Sequence, residues 1–112
     1  GQYNKIIKNC KEHGIKLILD AAHMAGTMID NIHVGQKADV SVFSFQSGKN
    51  MPTADGGMIC FKSSDYDALA RKLSWLGIDK DTYNRTNSKG SYKWDYDVVD
   101  LGFKSHGNSI MA

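Results

Sequence analysis

Two cysteines in 112 residues, a net charge of only +2, and no apolar run approaching bilayer length set the first limits on this chain. Cys10 and Cys60 are too few and too far apart for a disulfide framework or a zinc motif. His13, His23, His33 and His106 fall at no metal-ligand spacing, so no metal site is expected and the histidines read as surface or turn residues. The lysines are scattered rather than gathered on one face, which leaves no electrostatic footprint for nucleic acid. A helix needs roughly 20 consecutive apolar residues to cross a bilayer, and no segment here supplies them. No signal-peptide pattern opens the chain, and no internal repeat runs through it. Cys10 on an apolar helix face and Cys60 in a strand are expected to be reduced and buried, which suits a cytoplasmic location.

What is present is a chain with 41% hydrophobic residues, enough for one modest core. Tyr3, Ile6, Ile7 and Cys10 recur at helical spacing, which predicts an amphipathic helix over 2–13 covering a sheet, with Gly14 as its stop. Ile15–Leu19 and Val40–Phe45 are apolar runs of strand length, as expected for parallel neighbours buried on both faces. Met58–Phe61 follows Gly56 and Gly57 so closely that a third, antiparallel strand is predicted. Ser64 has the form of an N-cap, with Asp67 three residues on and Tyr66, Leu69, Ala70, Leu73 and Leu76 at helical spacing before Gly77. Residues 79–93 are polar and predict an exposed loop. Trp94, Tyr96 and Val98 alternate with Asp95 and Asp97, and the phase slips at Val99 so that Leu101 and Phe103 continue it, as in a bulged strand or extended segment. The expected fold class is α/β, a mostly parallel sheet with one antiparallel strand and helices packed on it. Residues 1–112 read as one partial domain: the first residues lie inside a helical pattern, and a capped apolar helix begins at the last ones, as in a piece of a longer protein.

The residue with most chemical content is Lys49. By itself a lysine is a solvated charge. Here an apolar strand runs through Ser44 and Phe45 into Ser47, Gly48 and Lys49, while a second strand ends in Asp20-Ala21-Ala22-His23. Two strand ends thus deliver polar groups to one sheet edge, and ligands of open α/β sheets bind outside the carboxyl ends of the strands. A phosphate loop does not account for Ser47-Gly48-Lys49, because Phe43 stands where that motif needs glycine and Asn50 where it needs Ser or Thr.

Leu19-Asp20-Ala21-Ala22-His23, Ala38–Phe45, Lys49-Asn50, Asp55-Gly56-Gly57-Met58 and Leu101-Gly102-Phe103-Lys104, in this order and spacing, resemble the DegT/DnrJ/EryC1/StrS family of sugar aminotransferases. That family is a branch of the fold-type-I enzymes that use pyridoxal 5'-phosphate (PLP). The resemblance implies the later part of the large, cofactor-binding domain of a homodimer. It implies a nucleotide-linked keto-sugar as substrate and an amino acid such as glutamate as donor. Lys49 matches the Schiff-base lysine, whose amine burial must hold unprotonated against an ordinary pKa of about 10.4. The family's dehydratase branch carries histidine there.

The resemblance assigns Asp20 to the pyridine nitrogen, where the plain alternative is a turn after a strand. It assigns His23 to the cofactor's phenolic oxygen or ring face, against an ordinary turn histidine. Ser44 matches the serine that donates to the phosphate, against a sheet hydroxyl satisfied within the fold. Asn50 and Asp55-Gly56-Gly57 match positions of structural rather than catalytic weight. One departure stands out: where many members carry an asparagine that reaches the partner subunit's phosphate, this chain has His106. Either His106 or Asn108 is left to make that contact, against a plain helix cap at Asn108 or Ser109. The reading of a different class is a non-catalytic scaffold or interaction fragment that keeps the fold without the chemistry.

Overall fold

A computed structural model describes residues 2–78 and 96–110. They form two compact units, one built on residues 2–64 with 107–110, the other on residues 65–78 with 96–106. The expected 79–93 loop, with Trp94 and Asp95, lies outside the described residues.

The first unit holds a three-stranded sheet in the order β1 (Ile18–Asp20), β4 (Val40–Ser44), β5 (Gly57–Phe61). β1 and β4 are parallel, with Ile18 opposite Val40 and Asp20 opposite Val42. β5 returns antiparallel, with Phe61 opposite Val40 and Gly57 opposite Ser44. The predicted sheet is therefore present, with two revisions. β1 starts at Ile18 rather than Ile15, because the chain before it is engaged otherwise: the Ile15 N–H closes the preceding helix on Cys10 O, and the Leu17 N–H donates to the Asp39 carboxylate at 3.0 Å. The strands are also not buried on both faces. Ser41 and Phe43 are buried on one face against the 3-10 helix Val34–Lys37, where Ser41 Oγ donates to Gly35 O at 2.9 Å. On the other face Ile18, Val42 and Ile59 are open to solvent. Cys60, opposite Ser41, is exposed rather than buried and lines a cleft of about 400 Å³ together with Phe43 and Met58.

The core of this unit is small: Ala21, Val34, Ala38 and Phe43, with Ser41 bonded inside it. Between β1 and β4 the chain forms a hairpin of β2 (Met28–Ile29) and β3 (Ile32–His33). Its turn residues, Asp30 and Asn31, both have positive φ, 54° and 60°, the backbone shape of the tight turn that matches strand twist. α1 (Tyr3–Glu12) ends before Gly14 as predicted, but it does not cover the sheet with a buried face. None of its residues is buried. It is tethered by polar bonds instead: Tyr3 OH donates to Val34 O at 2.8 Å, and Asn4 and Lys37 both bond Asp30 Oδ2.

α2 (Ser64–Ser74), which belongs to the second unit from Asp65 on, starts at the residue expected to cap it and stops before Leu76. Leu76 and Gly77 have φ of 60° and 75°, so the backbone leaves the helix there. The last turn is completed by the returning segment: Phe103 N–H donates to Leu73 O and Ser105 N–H to Ser74 O, while Phe103 O accepts from Leu76 N–H. The expected strand through Tyr96–Phe103 is reduced to isolated bridges, Ile78 with Val98 and Trp75 with Lys104. Its backbone groups pair with the helix end rather than with a sheet edge. That leaves Val98, Leu101 and Phe103 exposed.

Candidate active site

Because β1 and β4 are parallel, their carboxyl ends share one edge of the sheet. β1 stops at Asp20, and the next residue, Ala21, is fully buried and donates its N–H to Val42 O at 2.8 Å, which continues the strand pairing by one step. Asp20 Oδ1 then accepts the Ala22 N–H at 3.1 Å, the side-chain turn that Asp favours. Among the described residues its Oδ2 has no hydrogen-bond partner, and Asp20 is exposed. The Met24 N–H bonds Ala21 O, closing a turn that carries His23.

β4 stops at Ser44, whose Oγ accepts the Gln46 N–H at 3.4 Å. The chain then turns on Gln46: its carbonyl accepts from Lys49 N–H at 2.9 Å, and its side-chain oxygen accepts from Gly48 N–H at 3.2 Å. Phe45 N–H to Gly56 O and Ser47 N–H to Ala54 O bind the two arms of the excursion together. Gly56, with φ of 123°, supplies a backbone shape that side chains disfavour.

This turn brings Lys49 onto the loop that follows β1. Lys49 Nζ lies 2.9 Å from His23 Nε2. The next side chain reaches the same loop, with Asn50 Nδ2 donating to Ala25 O at 2.6 Å. Lys49 is half-buried and His23 exposed, so the desolvated lysine expected from the sequence is not fully enclosed by the described residues. Chemically, a lysine amine against an imidazole nitrogen is a hydrogen-bonded pair: a ring nitrogen without its proton accepts from the amine, and a ring N–H donates to a neutral one.

The structure thus joins Lys49 and His23 directly and sets Asp20 and Ser44 at neighbouring strand ends. The other two predicted residues have local partners. His106 belongs to the second unit, its ring 3.8 Å from that of Trp75, edge to face. Asn108 Oδ1 accepts the Ile110 N–H at 3.0 Å, the bond of a local cap. The bond from Asn50 was the contact that sequence reasoning missed. Its only trace in the sequence is a short amide directly after the lysine.

A model of the DegT/DnrJ/EryC1/StrS aminotransferase family matches residues 2–112. The chain belongs to this family. It is 34% identical over 96% of its length to the spore coat polysaccharide biosynthesis protein SpsC of Bacillus subtilis. Among solved structures, it resembles Spr1654 of Streptococcus pneumoniae in its PMP form, at 25% identity and a TM-score of 0.79, covering 99% of this chain and 32% of that one. It also resembles DesI, solved in the presence of its TDP-sugar product, at 32% identity and a TM-score of 0.63, covering 69% of this chain and 20% of that one. The fold is that of these aminotransferases. The chain spans 28% and 27% of the length of two curated relatives that it matches.

Proposed function

We propose that the protein carrying this chain is a PLP-dependent aminotransferase that moves an amino group from an amino acid such as glutamate to a nucleotide-linked keto-sugar, with Lys49 as its reactive amine. The observation that carries this reading is the placement of Lys49 Nζ 2.9 Å from His23 Nε2, at the sheet edge where Asp20 and Ser44 also end their strands. Family membership supports the reaction class, the PMP form of the Streptococcus pneumoniae structure supports the cofactor, and the TDP-sugar product of DesI supports the substrate class.

The donor set fits PLP. A carboxylate oxygen of Asp20 that has no partner among the described residues suits a pyridine N–H, the Ser44 hydroxyl suits a phosphate oxygen, and the Lys49 amine suits an aldehyde. When bound, PLP supplies an electron-poor ring that stabilises negative charge at a substrate carbon. Asp20 would hold the ring nitrogen protonated. His23 Nε2, 2.9 Å away, would orient the Lys49 amine toward the aldehyde. Lys49 Nζ, once free, is the group that takes a proton from the substrate carbon and returns it. His106 and Asn108 are the candidates for a contact to the partner subunit's phosphate in a homodimer, in a cytoplasmic protein.

The second reading, a non-catalytic scaffold, draws on the exposure of Asp20 and on the open apolar face of Ile18, Val42 and Ile59. The test is to assay the protein as its gene encodes it with a TDP-linked keto-sugar and glutamate, following product mass. An amino-sugar nucleotide formed by the wild type and not by Lys49→Ala supports the enzyme. No product with any keto-sugar nucleotide, together with no visible absorbance after PLP is added, favours the scaffold.

A further inference from the structure

We propose that Asn50 is a positioning residue: its amide clamps the lysine turn to the loop after β1 and so fixes Lys49 Nζ on His23. The claim rests on the reading of Lys49 as the reactive amine for its consequence, but its geometry stands apart from any cofactor.

Two consecutive side chains bridge to alternate positions of the facing loop, Lys49 to His23 and Asn50 to Ala25. These partners are not equivalent. Lys49 must leave His23 whenever its amine reacts, so that bond cannot hold the turn through a reaction. The Asn50 bond involves no reacting atom, so no step of the reaction requires it to break. It is also the shorter, at 2.6 Å against 2.9 Å, and it ends on a backbone carbonyl whose place is set on both sides. Ala25 lies within the turn closed by Thr27 N–H on Met24 O, between Ala21, which donates to Val42 O, and Thr27, whose carbonyl accepts from Val34 N–H. The loop is therefore tied to the sheet at one end and to the 3-10 helix at the other.

The lysine turn is anchored at its base, by Phe45 N–H on Gly56 O, Thr53 N–H on Phe45 O and Ser47 N–H on Ala54 O, but these bonds and that from Lys49 N–H to Gln46 O all lie within the β4–β5 connection. They give the turn shape without fixing its direction relative to the β1 loop. Among the described residues, the bonds that link residues 46–52 to residues 20–27 are those of Lys49 and Asn50. Removing the Asn50 donor leaves the turn held across the site only by the side chain that must let go. A displacement on the scale of an ångström is costly to a reacting group.

The experiment uses ring NMR signals of His23 as the reporter, with PLP and borohydride labelling of Lys49 as a second readout. In Asn50→Ala, the His23 ring shifts are expected to move from the wild-type values toward those of Lys49→Met, while the amide spectrum of the sheet stays dispersed. The rate of labelling at Lys49 is expected to fall by about tenfold or more. Asn50→Asp, isosteric but without the donor, repeats the comparison if the alanine variant folds poorly, and Asn50→Gln, which keeps the donor, is expected to retain most of the wild-type rate. His23 shifts unmoved by both Asn50→Ala and Asn50→Asp would overturn the positioning role. A wild type that takes no label at Lys49, but whose His23 shifts still depend on Asn50, would overturn the cofactor reading and leave the positioning role standing.

Discussion

Lys49 Nζ and His23 Nε2 meet at 2.9 Å across a sequence separation of 26 residues. The contact follows from strand order. β1 and β4 are parallel neighbours, so the loops that leave their carboxyl ends emerge side by side, and the turn on Gln46 directs the second loop toward the first. Neither residue has chemical importance on its own. Their value comes from an edge built by Asp20, Ala21, Val42 and Ser44.

The return of β5 requires close approach at Gly57. A Cβ at this position would sit 2.7 Å from Phe43 O, and backbone cannot move aside as a flexible side chain can. Gly57→Ala is expected to cost about 1–3 kcal/mol of stability, by the strain of overpacking. Denaturant unfolding of the two proteins measures it. The same substitution shifts the arm that carries Lys49, so labelling of that lysine should fall in parallel.

Asp39 ties the start of β4 to the residue before β1. The Leu17 N–H that its carboxylate accepts at 3.0 Å, with Lys16 alongside at 3.3 Å, holds its pKa below the usual carboxylate value. A lowered folded-state pKa means that this contribution is complete above the ordinary value, about 3.9, and is lost as pH falls through the lowered one. Thermal melts of the wild type should therefore lose stability on acidification below about pH 4, and Asp39→Asn should lack that part of the slope. A variant with an unchanged acid slope would show that the bond is not made in solution.

The α1 helix depends on a phenol. Tyr3 OH donates to the carbonyl of buried Val34, and burial raises its pKa. Tyr3→Phe is expected to cost about 1 kcal/mol, since it leaves that carbonyl without the donor. Because the folded-state pKa is raised, the tyrosine's contribution is complete below its ordinary value of about 10 and is lost as pH rises through the raised one. The alkaline loss of helix signal in circular dichroism should be smaller in the phenylalanine variant.

Much of this was legible in the sequence, and the failures have physical causes. The β4–β5 pair was readable because Gly56 and Gly57 sit directly before an apolar run, and the register then places Gly57 against Ser44. The β1–β4 pairing was readable from apolar runs that each end in polar groups. The hairpin at Asp30 and Asn31 was missed although its turn residues are of the type that positive φ favours, because its strands are too short to show alternation. The end of α2 was placed too late because Leu76 keeps helical spacing, while its N–H bonds Phe103 O, a partner that periodicity cannot reveal. At the site, strand ends pointed to Lys49 and to the segment from Asp20 to His23, and the family resemblance pointed to roles for Asp20, His23 and Ser44. Their partners did not follow: which nitrogen Lys49 meets, and the amide of Asn50 that crosses beside it, depend on how two loops turn after leaving the sheet.

The most direct test of the account is to mix the chain with PLP, reduce with borohydride, and locate the pyridoxyl group by peptide mass mapping. A label concentrated on Lys49 and absent from Lys49→Ala is expected. A label spread over surface lysines such as Lys5, Lys8 and Lys11, with the same total in Lys49→Ala, would contradict it.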